Sequence, residues 1–330
     1  MRSNNSYLIG IDGGGSKTVA ALANQRGEIL ATARGDSANM VSRPFAEVEQ
    51  TLQELIERLL AAAGVGRSEL AAVFFGLAGL DRPEAVQRLA ASPLVRDVPY
   101  RVGIDSDALI ALYSGTWGQP GMVLIAGTGS IAYGISPQGM RCRVGGWGYL
   151  LGDEGSGFAL GQKALTAVLR QFDGRGRPTA LTELLCEHTG LADPRELIHY
   201  VYDAPNARKR VAAASRLLLA AAAQGDQVAR EILEQAVAEL VELVETCAAR
   251  CGRDLPVVLA GGLLAEETLL RRELLARLAQ AYEVILPELP PVAGALLMAL
   301  REAGIAADQQ LRNTLTDGWL ARERMNKDDG

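Results

Sequence analysis

Short apolar runs that end in glycine recur along the chain, and they predict an alternation of buried strands and amphipathic helices. The first run, Tyr7-Leu8-Ile9-Gly10-Ile11-Asp12, ends in Gly13-Gly14-Gly15-Ser16-Lys17-Thr18. A later run, Met122-Val123-Leu124-Ile125-Ala126, ends in Gly127-Thr128-Gly129-Ser130. A short apolar run bounded by glycine reads as a buried strand. A second strand follows each turn, residues 19–23 in one copy and 131–135 in the other. A polar turn then closes a hairpin, Asn24-Gln25-Arg26-Gly27 or Ser136-Pro137-Gln138-Gly139. The chain therefore states one supersecondary pattern twice.

Between and after the two copies the period changes to that of a helix. Val48, Leu52, Leu55, Ile56, Leu59 and Leu60 predict a helix over 47–63, with Pro44 before it and Gly64 after it. Residues 70–79 read as a buried strand, 83–91 as a short helix and 100–104 as another strand. Asp105-Ser106-Asp107 is expected to cap a helix over 108–114, one of the two aspartates serving as the cap. The second half carries a glycine-rich segment at 144–161, several helices within 162–250, and a late strand at 255–260 that ends in Gly261-Gly262. A helix over 266–282, a strand at 283–286 and a helix over 290–304 complete the pattern. The charged tail, 322–330, is expected to fray.

The glycine turns carry the first chemical signal. Glycines let backbone N–H groups converge on an anion, and Ser or Thr hydroxyls add donors. Two such turns suggest two lobes that grip one polyphosphate from opposite sides. A Rossmann fingerprint or a Walker loop would open a helix instead of a hairpin, and Ser16 stands where the Walker pattern needs glycine before the lysine.

Composition narrows the class. With 330 residues and 48% apolar content the chain has ample core for two domains. A net charge of −6, no basic patch and 5% aromatic residues argue against nucleic-acid binding. The polar start and the lack of a membrane-length apolar run lead us to expect a soluble, cytoplasmic protein. The four cysteines (Cys142, Cys186, Cys247, Cys251) form no CxxC, and with only His188 and His199 beside them they read as reduced thiols rather than a zinc site. Cys247 and Cys251 stand one helical turn apart.

Carboxylates at the ends of predicted strands supply the second signal. Asp12 ends the first strand beside the glycines and is the natural group to orient Mg²⁺, directly or through water. Asp105 and Asp107 end another strand, and their position alone does not select a base between them.

These segments together resemble the N-acetylglucosamine kinase branch of the BadF/BadG/BcrA/BcrD-type ATPases, within the actin, Hsp70 and sugar-kinase superfamily. The resemblance rests on residues 13–18, Asn39, 105–108, 127–130, Gly145-Gly146-Trp147-Gly148, Leu151-Gly152-Asp153-Glu154-Gly155-Ser156-Gly157 and Ala260-Gly261-Gly262. Its most specific part is the GGWG followed by GDEGSG. It implies an α/β fold of two ribonuclease-H-like lobes with a cleft between them. The expected N-terminal lobe is 1–117 plus about 291–330, and the expected C-terminal lobe is 118–290. By the resemblance, Asp107 is the catalytic base for a sugar 6-hydroxyl. Asn39, Ser130, Ile131, Gly146, Trp147, Gly148 and Asp153 join it around an amino sugar. Asp12 through Thr18 (Gly13, Gly14, Gly15, Ser16 and Lys17 between them) and Gly127, Thr128 and Gly129 face ATP phosphates. Gly261, Gly262 and Ala212 face the nucleoside side. ATP and Mg²⁺ are the implied cofactors, and a homodimer is the implied assembly.

Other readings of the same residues are distinguishable. An activating ATPase that shares an iron–sulfur cluster across a dimer would need cysteines near the GDEGSG segment, which has none. A zinc-bearing kinase or repressor would need a clustered cysteine motif with a histidine. A non-catalytic sugar sensor would lose the base, whereas Asp107 is present. N-acetylglucosamine is the expected acceptor, with glucosamine as the close alternative.

Overall fold

A computed structural model describes residues 7–203 and 206–328. The chain divides into two compact units, one of residues 1–119 with 287–330 and the other of residues 120–286. These borders lie two to four residues from the expected 117/118 and 290/291.

The first unit begins with a meander, β1 (Tyr7–Gly13), β2 (Thr18–Asn24) and β3 (Ile29–Gly35). Helix α1 (Phe45–Ala63) leads to β4 (Leu70–Leu77). Two short helices, α2 (Pro83–Ala90) and α3 (Pro93–Arg96), lead to β5 (Arg101–Ser106) and α4 (Asp107–Thr116). The sheet order is β3-β2-β1-β4-β5, antiparallel through the meander and parallel from β1 to β5. The six predicted apolar positions of α1 are all buried, in one cluster with Ile9, Ile11, Leu22, Val73 and Phe75 of the strands.

The second unit repeats the plan with a larger helical layer. Strands β6 (Gly121–Ala126), β7 (Ser130–Ile135) and β8 (Arg141–Gly145) form its meander. Helices α5 (Gly157–Phe172), α6 (Leu181–Thr189), α7 (Leu197–Tyr202), α8 (Ala207–Ala223) and α9 (Gln227–Cys251) follow. Strand β9 (Val257–Ala260), α10 (Gly262–Ala265), α11 (Leu269–Leu278) and β10 (Val284–Ile285) complete it. Read from its meander edge, the order β8-β7-β6-β9-β10 repeats the first sheet's β3-β2-β1-β4-β5 with equivalent strands in equivalent places. A β-carbon at Gly161 would lie 1.8 Å from the Val211 carbonyl oxygen, so glycine is what lets α5 and α8 press together.

The chain then returns to the first unit with α12 (Pro291–Glu302) and α13 (Gln309–Asp328). Helix α12 buries Val292, Leu296 and Leu300. Gly294 makes room for it, since a β-carbon there would sit 1.9 Å from the Ile110 carbonyl oxygen of α4.

Four expectations change. The helix expected beyond the glycine-rich segment begins earlier, at Gly157, because Ser156 caps it by accepting from the Ala159 N–H at 3.2 Å. The helix expected over 266–282 is shorter, preceded by the single turn of α10. Neither Asp105 nor Asp107 caps α4; Ser106 does, accepting from the Leu109 N–H, while Asp107 is the first helical residue. The part of the 322–330 tail within the described residues is helical through Asp328 rather than frayed, residues 329–330 lying outside them. It continues a helix anchored by buried Leu311, Leu315 and Trp319, and Arg322 donates to the Ile29 carbonyl at 2.8 Å. Among the described residues no helix is long and apolar enough to cross a membrane.

Candidate functional site

In the first unit the chemistry gathers where the parallel strands end. Asp12 pairs in register with Gly76 of β4, and Gly76 with Asp105 of β5, so the two aspartates stand in one rank across the sheet. Asp107 opens α4 two residues later, and its carboxylate is close enough to repel that of Asp12. Burial first, and this repulsion second, push Asp12 up from an ordinary 3.8 to about 7, with the Lys17 ammonium opposing them. The Asp105 carboxylate accepts from the Ser106 N–H at 2.8 Å.

The glycine turn beside Asp12 is a tight hairpin. The Gly14 N–H donates to the Lys17 carbonyl at 3.0 Å, and the Ser37 hydroxyl donates to the Gly14 carbonyl at 2.9 Å. Gly15, Ser16 and Lys17 are exposed at its tip. Thr18 is not at the tip: it is buried, with its hydroxyl donated to the Asp36 carbonyl at 2.6 Å. That bond secures the base of the hairpin. Asn39 lies over the turn, since a β-carbon on Gly15 would be 3.8 Å from its side-chain nitrogen. Its carbonyl oxygen accepts from the N–H groups of Val41 and Ser42, which fixes the amide plane.

In the second unit three glycine segments converge at the ends of β6 and β9. Ile125 pairs with Ala260, which brings Gly127 beside Gly261 and Gly262. Gly261 has φ +91°, and a β-carbon there would lie 2.4 Å from the Ala126 carbonyl oxygen, so only glycine fits. The first amides of α5 are used inside this cluster: the Gly157 N–H donates to the Gly127 carbonyl at 2.7 Å, and the Phe158 N–H to the Thr128 carbonyl at 3.3 Å. Ala212 borders the same place, its carbonyl 3.6 Å from where a Gly157 β-carbon would be.

The remaining predicted residues form a second group in the same unit, joined to the first through Gly129. Asp153 is buried and accepts from the Gly148 N–H at 3.2 Å. A β-carbon on Gly129 would come within 2.7 Å of its Oδ2. Burial raises its pKa, opposed chiefly by Arg208 and then by backbone donors at Gly148 and Ser130. The Ser130 hydroxyl donates to the Glu154 carbonyl at 2.6 Å. Ile131 packs under Gly146, where a β-carbon would be 2.9 Å from its Cδ1. Trp147 is 64% exposed and therefore not a core aromatic. Its backbone N–H donates to the Gly152 carbonyl at 3.0 Å, and the Arg143 guanidinium lies 4.7 Å from its ring centroid. A cavity of about 230 Å³ lies beside this loop, lined in part by Leu151, Asp153, Phe158, Lys163 and Glu239.

Two arginines that the sequence motifs do not single out complete this group. Arg208 of α8 stands 3.5 Å from Asp153 and lies over the Tyr149 ring at 5.2 Å. Arg143 holds the Gly146 carbonyl as well as the Trp147 face. Nothing in local spacing points to Arg208, 55 residues from its partner; Arg143 stands only three residues before Gly146, a separation that local spacing can signal.

Each group has a definable chemical capacity. Asp12 and Asp107 offer hard oxygen donors, the type Mg²⁺ takes, and a cation there would relieve the repulsion that raises Asp12. The glycine cluster of the second unit lets a ligand approach the backbone closely. The Asp153 and Trp147 group offers a fixed acceptor and an exposed ring, the elements of a polyol site.

Comparison with known proteins agrees in kind. Residues 9–299 match the profile of the BadF/BadG/BcrA/BcrD ATPase family. An N-acetylmuramic acid/N-acetylglucosamine kinase of Clostridium acetobutylicum is 35% identical over 263 residues, covering 78% of this chain and 85% of the relative. An N-acetyl-D-glucosamine kinase of Dictyostelium discoideum is 31% identical over 312 residues, covering 89% and 97%. The crystal structure of a Chromobacterium violaceum protein provisionally assigned as an N-acetylglucosamine kinase superposes with a TM-score of 0.76 at 30% identity, covering 89% of this chain and 99% of that one.

Proposed function

We infer that the chain, which belongs to the BadF/BadG/BcrA/BcrD ATPase family, is an ATP-dependent kinase of an amino sugar, and we propose N-acetylglucosamine as the acceptor and its 6-hydroxyl as the position phosphorylated. The observation that carries the reading is the pairing of Asp12 and Asp107 beside a glycine turn at the end of parallel strands. Phosphoryl transfer needs a positioned base, charge neutralisation and little covalent chemistry from the protein.

In this proposal Asp107 accepts the proton of the sugar hydroxyl as its oxygen attacks the γ-phosphorus of ATP. The bond from that phosphorus to the β–γ bridging oxygen breaks, and ADP leaves. Asp12, with Asp107 nearby, would hold Mg²⁺, directly or through water. The cation's chemistry there is neutralisation of charge on the phosphate oxygens. Asp12 must be ionised for this task, and the same cation would favour its ionised form. Gly15 to Lys17, with Thr128 and Gly129, would supply backbone donors to phosphates, the Gly14 and Gly127 N–H groups holding the two turns closed, and Gly261 and Gly262 let the nucleoside lie against bare backbone. Asn39, Ser130, Asp153 and the Gly146 to Gly148 backbone hold sugar hydroxyls and the acetamide, with Trp147 as an apolar wall. Asp153 acts as an acceptor because Arg208 and two amides oppose the effect of its burial.

A coupled ADP-release assay tests the proposal across N-acetylglucosamine, glucosamine, N-acetylmuramic acid, N-acetylmannosamine and glucose, with the product's phosphate position assigned by NMR. Release dependent on N-acetylglucosamine, with phosphate on O6, is expected. No sugar-dependent release overturns the kinase reading, and release with glucosamine alone replaces the acceptor.

A further inference from the structure

Three of the four cysteines meet behind the second sheet, where the kinase chemistry makes no use of them. Cys142 comes from β8, while Cys247 and Cys251 lie one turn apart on α9. Their sulfurs all lie within 4.8 Å of one another, and all three residues are buried. The Cys142 and Cys247 sulfurs are 3.0 Å apart. Gly134 of β7, paired with Cys142, makes the space: a β-carbon there would fall 2.9 Å from the Cys247 sulfur and 3.1 Å from that of Cys251. The Met122 side chain touches the same glycine, its Cγ 3.2 Å from that point. Four sulfur-bearing side chains from three elements thus surround one backbone position. Among the described residues no histidine or carboxylate belongs to the group.

We propose that this thiol triad is a binding site for one soft, thiophilic d¹⁰ cation, of the Cu(I) or Cd(II) class. Thiolate and thioether ligands select such ions, whereas Mg²⁺ and Ca²⁺ require oxygen. For metal–sulfur bonds of about 2.3 Å, a trigonal arrangement places the sulfurs about 4 Å apart; the three lie within 4.8 Å of one another, and the Cys142–Cys247 pair, at 3.0 Å, would open by about 1 Å on capture. Capture replaces the thiol protons with metal–sulfur bonds and releases those protons to solvent. An entry route exists: Cys251 is the last residue of α9, followed by exposed Gly252, Arg253 and Asp254, so opening one terminal turn exposes it. The triad lies in the second unit and shares no residue with the proposed kinase site, so the inference does not rest on the kinase reading.

Binding also bears on the loop that follows β8. Arg143, next to Cys142, stacks on Trp147, and Arg250, next to Cys251, donates to the Arg143 carbonyl at 3.0 Å. A cation that ties β8 to α9 would stiffen the seam that carries Arg143.

The test is an anaerobic titration of the fully reduced, full-length protein with Cd²⁺, followed by the thiolate-to-cadmium charge-transfer band in the ultraviolet. One equivalent per chain is expected, unchanged in Cys186→Ser and at least tenfold weaker in Cys142→Ser and Cys251→Ser. Alkylation of the wild-type protein, mapped by mass spectrometry after partial denaturation, supplies an arm that needs no variant. Cadmium should protect Cys142, Cys247 and Cys251 but leave Cys186 reactive. No band, a band lost only with Cys186→Ser, or equal labelling of all four thiols with and without cadmium would overturn the proposal.

Discussion

Replacing Asp12 with asparagine should stabilise the ligand-free protein, and only above acidic pH. The folded protein holds this carboxyl near 7 in place of 3.8. Between those values the folded chain binds a proton that the unfolded chain has released, so stability falls as pH rises through the interval and levels off above it. At about 1.4 kcal/mol per pH unit, the ionised carboxylate costs the folded state up to about 4 kcal/mol at pH 8. An asparagine in its place would carry no such cost and keeps nearly the same shape. Thermal unfolding of wild type and Asp12→Asn, without nucleotide or Mg²⁺, should give matching Tm values near pH 4. The gap should open to as much as roughly ten degrees by pH 8. Asp107→Asn should close part of the gap, because Asp107 repulsion is the second cause of the shift after burial. A Tm difference that is flat with pH, or an asparagine variant less stable than wild type at pH 8, would refute the reasoning.

Other substitutions probe the remaining groups. Trp147→Ala should raise the KM for the sugar at least tenfold with little change for ATP; equal effects on both would make Trp147 a packing residue. Arg208→Met removes the main charge that opposes the raised pKa of Asp153, so the acidic limb of kcat/KM for the sugar should move to higher pH. Gly261→Ala places a β-carbon 2.4 Å from the Ala126 oxygen at φ +91° and should cost about 1–3 kcal/mol in denaturant unfolding while weakening ATP binding. Leu315→Ala, at a fully buried position of α13, should cost about 2–5 kcal/mol, against near zero if α13 were not docked.

The fold is legible in the sequence where periodicity and punctuation are strong. The two apolar runs with glycine turns did announce two equivalent meanders, and the structure extends the likeness to all five strands of each sheet. The α1 stripe was legible because all six apolar positions face one sheet. Legibility failed where the determinant is a distant partner. Helix α13 gives little sequence signal because its stripe of Leu311, Leu315 and Trp319 is narrow and surrounded by charge. Ser106, flanked by two aspartates of equal capping propensity, is not singled out as the cap by residue type; the backbone geometry selects it. The sequence places Thr18 beside the glycines, but only the fold reveals that its hydroxyl is already held by Asp36. Arg208 and the meeting of Cys142 with Cys247 depend on helix packing across more than fifty residues, which no local pattern encodes.

The most direct test of the central claim pairs two measurements on Asp107→Asn. Sugar-dependent ADP release should fall at least about a hundredfold, the contribution of a positioned base, while calorimetry still detects binding of the amino sugar. Near-normal turnover in that variant would contradict the account.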